Sequence, residues 1–138
     1  MNQSTVFFNR KPRGRIDQPR NRDLVSRRFR AEGIIDSLPV GQHLLLVVEV
    51  GGLMWPKGKV RVNDTSWTSE VHEGGTPPDG DFALSLYLVS SMGYGEIAAW
   101  LEHGRLTGHY PGLGQIKDGI KLHSIRLRLK SMIAPPKE

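Results

Sequence analysis

From residue 28 onward, short runs of alternating polar and apolar residues are separated by glycine, proline and asparagine. Arg28-Phe29-Arg30-Ala31-Glu32-Gly33-Ile34-Ile35 has the period of two expected of a half-buried strand. Leu38-Pro39-Val40-Gly41 punctuates it. Residues 43–50 form a nearly continuous, β-branched apolar run, which predicts a central strand covered on both faces. Gly51-Gly52 breaks that run, residues 59–62 alternate again, Asn63-Asp64 turns the chain, and residues 67–72 read as another strand. Residues 74–80 (Gly-Gly-Thr-Pro-Pro-Asp-Gly) are a loop, since the prolines lack donors and Asp and Gly suit tight turns. Phe82, Leu84, Leu86 and Leu88 then alternate with Ala83, Ser85, Tyr87 and Val89, the clearest strand of the chain.

The period changes next. Ile97, Trp100 and Leu101 stand at i, i+3 and i+4, the stripe of a helix that Ser90 or Ser91 begins and Gly104 stops, with His103 and Arg105 near its negative end. Residues 110–114 are a loop, and Ile125, Leu127 and Leu129 alternate with Arg126, Arg128 and Lys130 in a strand with one basic face. About six strands at intervals of roughly 8–12 residues, with one short helix, predict a mainly β chain: an antiparallel β-sandwich or small barrel, of which we expect the sandwich. No helix alternates regularly with the strands, which argues against a doubly wound parallel sheet. The expected division is a flexible basic arm at 1–27, a domain at 28–132 and a tail at 133–138.

Composition adjusts this picture in two respects. A chain of 138 residues suits one domain with a real core, and the absence of cysteine excludes disulfides, thiolate zinc sites and cysteine nucleophiles. The net charge of +5 is unevenly placed. Residues 1–30 hold nine basic groups against two acidic ones, whereas the other 108 hold ten basic and twelve acidic. The excess charge therefore belongs to the leader. Val6-Phe7-Phe8 is too short for a secretory apolar region, Pro12, Gly14 and Pro19 interrupt a presequence helix, and no run approaches a membrane span. A cytoplasmic protein is expected.

The candidate chemistry is sparse. His43, His72, His103, His109 and His123 lack metal-site spacing, and Glu70, His72 and His103 offer only a loose mixed set, so no metal and no cofactor are expected. Glu70 with Glu73, and Asp79 with Asp81, lie in or beside the Gly/Pro-rich loop, where solvated carboxylates are not tuned for acid–base work. Gly93-Tyr94-Gly95 and Gly112-Leu113-Gly114 lack the rest of a phosphate-loop pattern. There is no G-x-S-x-G elbow or S-x-x-K nucleophile, so no enzyme is expected. Trp67 and Trp100 read as core, while Trp55, before Pro56, is the tryptophan to present to a partner.

The strand at 44–50, Trp55-Pro56, Trp67, Gly74-Gly75, Phe82–Leu86, the helix with Ile97, Trp100 and Leu101, and then Gly104 and Tyr110-Pro111-Gly112-Leu113 together form a pattern. It resembles a small β-sandwich module of bacterial proteins of unassigned function, appended to or encoded beside signalling and defence-type proteins. The resemblance implies an interaction domain and no catalytic motif. The resulting expectation is a non-enzymatic protein-binding module. Its contacts would be Arg10, Lys11, Arg13, Arg15, Arg20, Arg22, Trp55 and Tyr110, with the arm ordering on the partner and the loops at 74–80 and 110–115 presented to it. The alternative is a nucleic-acid accessory protein acting through the arginines of residues 1–30. A homo-oligomer is compatible with either.

Overall fold

The computed structural model describes residues 12–130. In chain order the strands are β1 (Gly14–Gln18), β2 (Leu24–Val25), β3 (Arg28–Ile35), β4 (Gln42–Val50), β5 (Leu53–Lys59), β6 (Arg61–Asn63), β7 (Ser66–His72) and β8 (Asp81–Ser90). Helix α1 (Ser91–Thr107) follows, and β9 (Ile120–Leu129) completes the series. One sheet has the order β1-β3-β7-β6 and the other β2-β9-β8-β4-β5. Every pairing is antiparallel except β2 with β9.

Alternation explains how the two sheets share one core. On β3 the buried positions are Ala31, Gly33 and Ile35, and on β7 they are Trp67, Ser69 and Val71. These face Leu44, Leu46 and Val48 of β4, Phe82, Leu84 and Leu86 of β8, and Ile125, Leu127 and Leu129 of β9. The continuous apolar run of β4 is buried on both sides. Leu45 and Val47 point away from the shared core and join Tyr87, Val89, Ile97 and Ile116 in a second cluster beneath α1. Strand β8 is buried on both faces for the same reason, although its alternation fits a half-buried strand.

Three expectations change. First, the arm at 1–27 does not hold over its described part. Gly14–Gln18 pairs with β3, and Ile16 is 5% exposed within the core. The Trp67 indole N–H donates to the carbonyls of Arg15 and Ile34, both at 3.2 Å, so a fully buried tryptophan holds β1 in place. Gly33 permits the approach, because a Cβ there would lie 1.9 Å from the Arg15 carbonyl oxygen. Arg10 and Lys11 lie outside the described residues, as does the tail from 131 onward. Second, α1 does not stop at Gly104. Ser90 Oγ accepts the Gly93 N–H at 3.0 Å as N-cap, and the helix runs to Thr107, where Gly108 caps it at φ 75°. Third, the interval between Gly52 and residue 59, to which the pattern assigns no strand, forms β5, with Trp55-Pro56 inside it. Gly51 and Gly52, both at positive φ, form a two-residue hairpin turn into β5, and Pro56 is tolerated because β5 is an edge strand. Among the described residues, no helix is long and apolar enough to cross a membrane.

Candidate functional site

At the β5 edge of the five-stranded sheet lies a cleft of about 660 Å³, within the size range of ligand pockets. Its walls come from four places: Trp55 and Lys57 on β5, Trp100 and Leu101 on α1, His72 and the loop through Gly75 and Pro77, and Tyr110. Val48 and Val50 of β4 supply its apolar base.

The aromatic wall is fixed by hydrogen bonds and close contacts. The Trp55 indole N–H donates to the Tyr110 carbonyl at 2.8 Å, and the Trp100 indole N–H donates to the Pro111 carbonyl at 3.0 Å. Met54 and Leu113 exchange two backbone hydrogen bonds of 2.8 Å, tying the same loop to β5. The Trp100 and Tyr110 rings are tilted with centroids 5.4 Å apart. Gly104 is where the Tyr110 ring lies against the helix: a Cβ there would be 2.1 Å from Cε1 of the ring. With both indole donors engaged internally, the two rings are held in place along the cleft.

The polar part of the cleft is a buried ion pair. Glu73 is 6% exposed, in contrast to the solvated carboxylate expected of this loop. Its Oε2 accepts the Gly75 N–H at 2.8 Å, and Lys57 Nζ lies 2.9 Å from Oε1. That approach lacks hydrogen-bond geometry, so Oε1 is buried with charge compensation but with its acceptor capacity unmet. Arg27 Nη1 donates to the carbonyls of Glu73 and Gly75 at 2.8 and 2.7 Å, strapping the loop across the end of β7. The ammonium and carboxylate cancel, leaving a neutral cleft with apolar faces and one donor–acceptor couple.

Of the residues singled out from sequence, the structure brings Trp55 and Tyr110 together and sends the arginines elsewhere. Arg13 pairs with Asp36 at 3.7 Å and Arg15 with Asp17 at 2.7 Å, while Arg20 and Arg22 sit on the turn before β2. Lys57, Glu73 and the cleft-facing role of Trp100 escape sequence reasoning. The one sequence signal for Glu73 is its position directly before Gly74-Gly75, where a side chain folds back on its own turn.

A separate polar network lies on the outer face of the same sheet. Ser85 Oγ donates to Glu49 Oε2 at 2.6 Å, and Lys121 Nζ is 3.0 Å from that oxygen. Burial alone raises the Glu49 carboxyl, but the Ser85 hydroxyl and Lys121 ammonium outweigh it and hold it below the ordinary glutamate value of 4.5. Burial, with the Glu49 charge nearby, pushes the Tyr87 phenol up. The histidines are dispersed: His43 stacks on Tyr94 at 4.6 Å, and His123 Nδ1 accepts the Ile16 N–H at 2.8 Å. Among the described residues, no three His, Asp or Glu side chains are grouped to hold a metal ion. No family model matches this chain, and no curated protein or solved structure does so either.

Proposed function

We propose that this protein is a non-catalytic β-sandwich interaction module that receives a segment of a protein partner in the β5-edge cleft. One observation carries the reading: the loops at 74–80 and 110–115, far apart in sequence, meet around one preformed aromatic cleft. Rigid tryptophan and tyrosine faces in a concave, largely apolar setting are what interface hot spots are built from. The paired Lys57 and Glu73 leave the cleft without net charge, which suits an apolar segment of the partner.

The test uses the full chain with a photo-crosslinking amino acid at Thr76, an exposed residue lining the cleft, and separately at Asp64, an exposed turn residue outside it. Illumination in native lysate is expected to give one discrete adduct from position 76, lost in Trp100→Ala and absent from position 64. Equal labelling from both positions, or no adduct from position 76, overturns the reading.

A further inference from the structure

The opposite edge of the same sheet has different chemistry. Several charged side chains elsewhere are paired within the fold: Arg13 with Asp36, Arg15 with Asp17, Arg30 with Glu32, Arg105 with Glu102, Lys57 with Glu73 and Lys121 with Glu49. Arg20, Arg22 and Arg126 are exposed and make no side-chain ion pair or hydrogen bond to another described residue. Arg22 and Arg126 line one cleft of about 470 Å³ together with Arg128, Leu24 and Asp81.

That cleft is built by the backbone. The turn preceding β2 is closed by Asp23 N–H to the Arg20 carbonyl at 3.0 Å and by Arg20 N–H to Asp23 Oδ2 at 2.8 Å. It is then fastened to β9. Arg22 N–H donates to the Arg126 carbonyl at 2.6 Å, Arg126 N–H to Asn21 Oδ1 at 2.7 Å, and Arg128 N–H to the Asp23 carbonyl at 3.1 Å. Arg22 itself sits at φ 75°, a left-handed conformation uncommon outside glycine. The guanidiniums of Arg22 and Arg126 therefore project from a turn and a strand locked to each other.

The geometry points to this edge as a binding site for the phosphate backbone of a nucleic acid. On β9, Arg126 and Arg128 alternate with the buried Leu127 and Leu129, so they share one exposed face about 6.8 Å apart, and Lys130 follows. A row of cations at regular spacing along one strand, extended sideways by Arg22 and Arg20, suits a regularly charged polymer better than a single acidic group. Arginine forks bind phosphate bidentately. The nearby carboxylates offset the row only in part. Asp23 keeps its charge while accepting a backbone N–H, and Asp81 pairs with Arg128 at 2.8 Å and also attracts Arg126, so positive charge stays in excess over Arg20, Arg22, Arg126 and Lys130. Leu24, 48% exposed beside them, offers an apolar contact. Contacts to the phosphate backbone alone carry no sequence information, so the recognition is independent of sequence. This site shares no residue with the aromatic cleft and stands or falls separately from it.

The experiment measures fluorescence anisotropy of a labelled single strand of about 20 nucleotides against the full chain, from about 50 to 300 mM salt. Wild type is expected to bind with a micromolar dissociation constant that weakens steeply with salt. Arg22→Asn/Arg126→Gln, in which asparagine keeps the left-handed position accessible, is expected to weaken binding about tenfold and to reduce the salt slope by about 1.5. Arg13→Gln/Arg105→Gln removes the same formal charge from paired positions and is expected to leave the slope within about 0.3 of wild type. Absence of binding at the lowest salt, or equal losses in the two double variants with circular dichroism unchanged, overturns the proposal. Competition by poly-glutamate as effective as that of unlabelled oligonucleotide at equal charge overturns it in favour of an acidic protein.

Discussion

The two edges of the five-stranded sheet solve the problem of an unpaired strand in opposite ways. At β5, the aromatic edge, the strand is covered by a loop held through indole N–H groups, and its one buried carboxylate is balanced by Lys57. At β2–β9, the strand is covered by a turn held through backbone N–H groups, and its cations outnumber its carboxylates. The first edge depends on packing, so changes there act on stability and shape and are little affected by salt. The second depends on charge carried by exposed side chains, so changes there act on affinity and leave the fold intact. On the readings proposed above, the same sheet separates recognition by faces from recognition by charge.

This contrast is open to direct attack. The largest effect is expected from Glu73→Ala, which leaves the Lys57 ammonium almost buried without its partner. The loss of stability should be about 3 kcal/mol by chemical denaturation, with polyanion affinity unchanged. Equal damage to both properties would mean that the edges are not independent. Gly104→Ala is next. A Cβ against the Tyr110 ring costs about 1–3 kcal/mol of overpacking, offset by about 1 kcal/mol of helix propensity, for a net loss of up to about 2 kcal/mol. The thermal midpoint should fall by several degrees, and crosslinking from position 76 should fall with it.

A smaller effect is expected between the edges, at Glu49. Its carboxyl is held below 4.5 in the folded chain, so the stability it contributes is present above that value and is lost as pH falls through the lowered folded value. Thermal melts should show wild type more stable than Glu49→Gln near neutral pH, with the difference closing in acid. A difference that grows in acid would contradict the assignment. The smallest effect belongs to Asp81→Asn, which frees Arg128 on the cationic edge. Polyanion affinity should rise two- to fivefold at low salt, about 0.4–1 kcal/mol, with the salt slope steeper by about 0.8. An unchanged slope would show that Arg128 faces away from the bound chain.

Much of the fold is legible because burial imposes a period. Strands β3, β7 and β9 show period two, β4 shows its double burial as an unbroken apolar run, and α1 shows its stripe at Ile97, Trp100 and Leu101. Strand β1 is not legible, since Ile16 is its only apolar side chain and it is held by pairing to β3 and by Trp67. The sequence signal for it was Gly33, a glycine inside an otherwise regular strand, where another backbone approaches closely. Likewise Gly51-Gly52 carried the hairpin into β5, and Gly104 marks a ring packed on a helix, where sequence reasoning placed its end. For the site, Trp55 and Tyr110 were legible as large side chains next to turns. Lys57 and Glu73 were not, because burial of a charge pair leaves no periodic trace.

The sequence by itself determined which segments extend, which faces turn inward, and how much charge the chain carries, because these follow from side-chain volume, period and count. The tertiary structure decided which distant charges meet and which aromatic residues form a wall. Both depend on contacts across long separations: Arg13 with Asp36, Trp55 with Tyr110, Asn21 with Arg126. An arginine's electrostatic role is fixed by the acid that lies within reach of it. In this protein some of those acids stand close along the chain, as Asp17 does to Arg15, and others are brought up by strand pairing, as Asp81 is to Arg128.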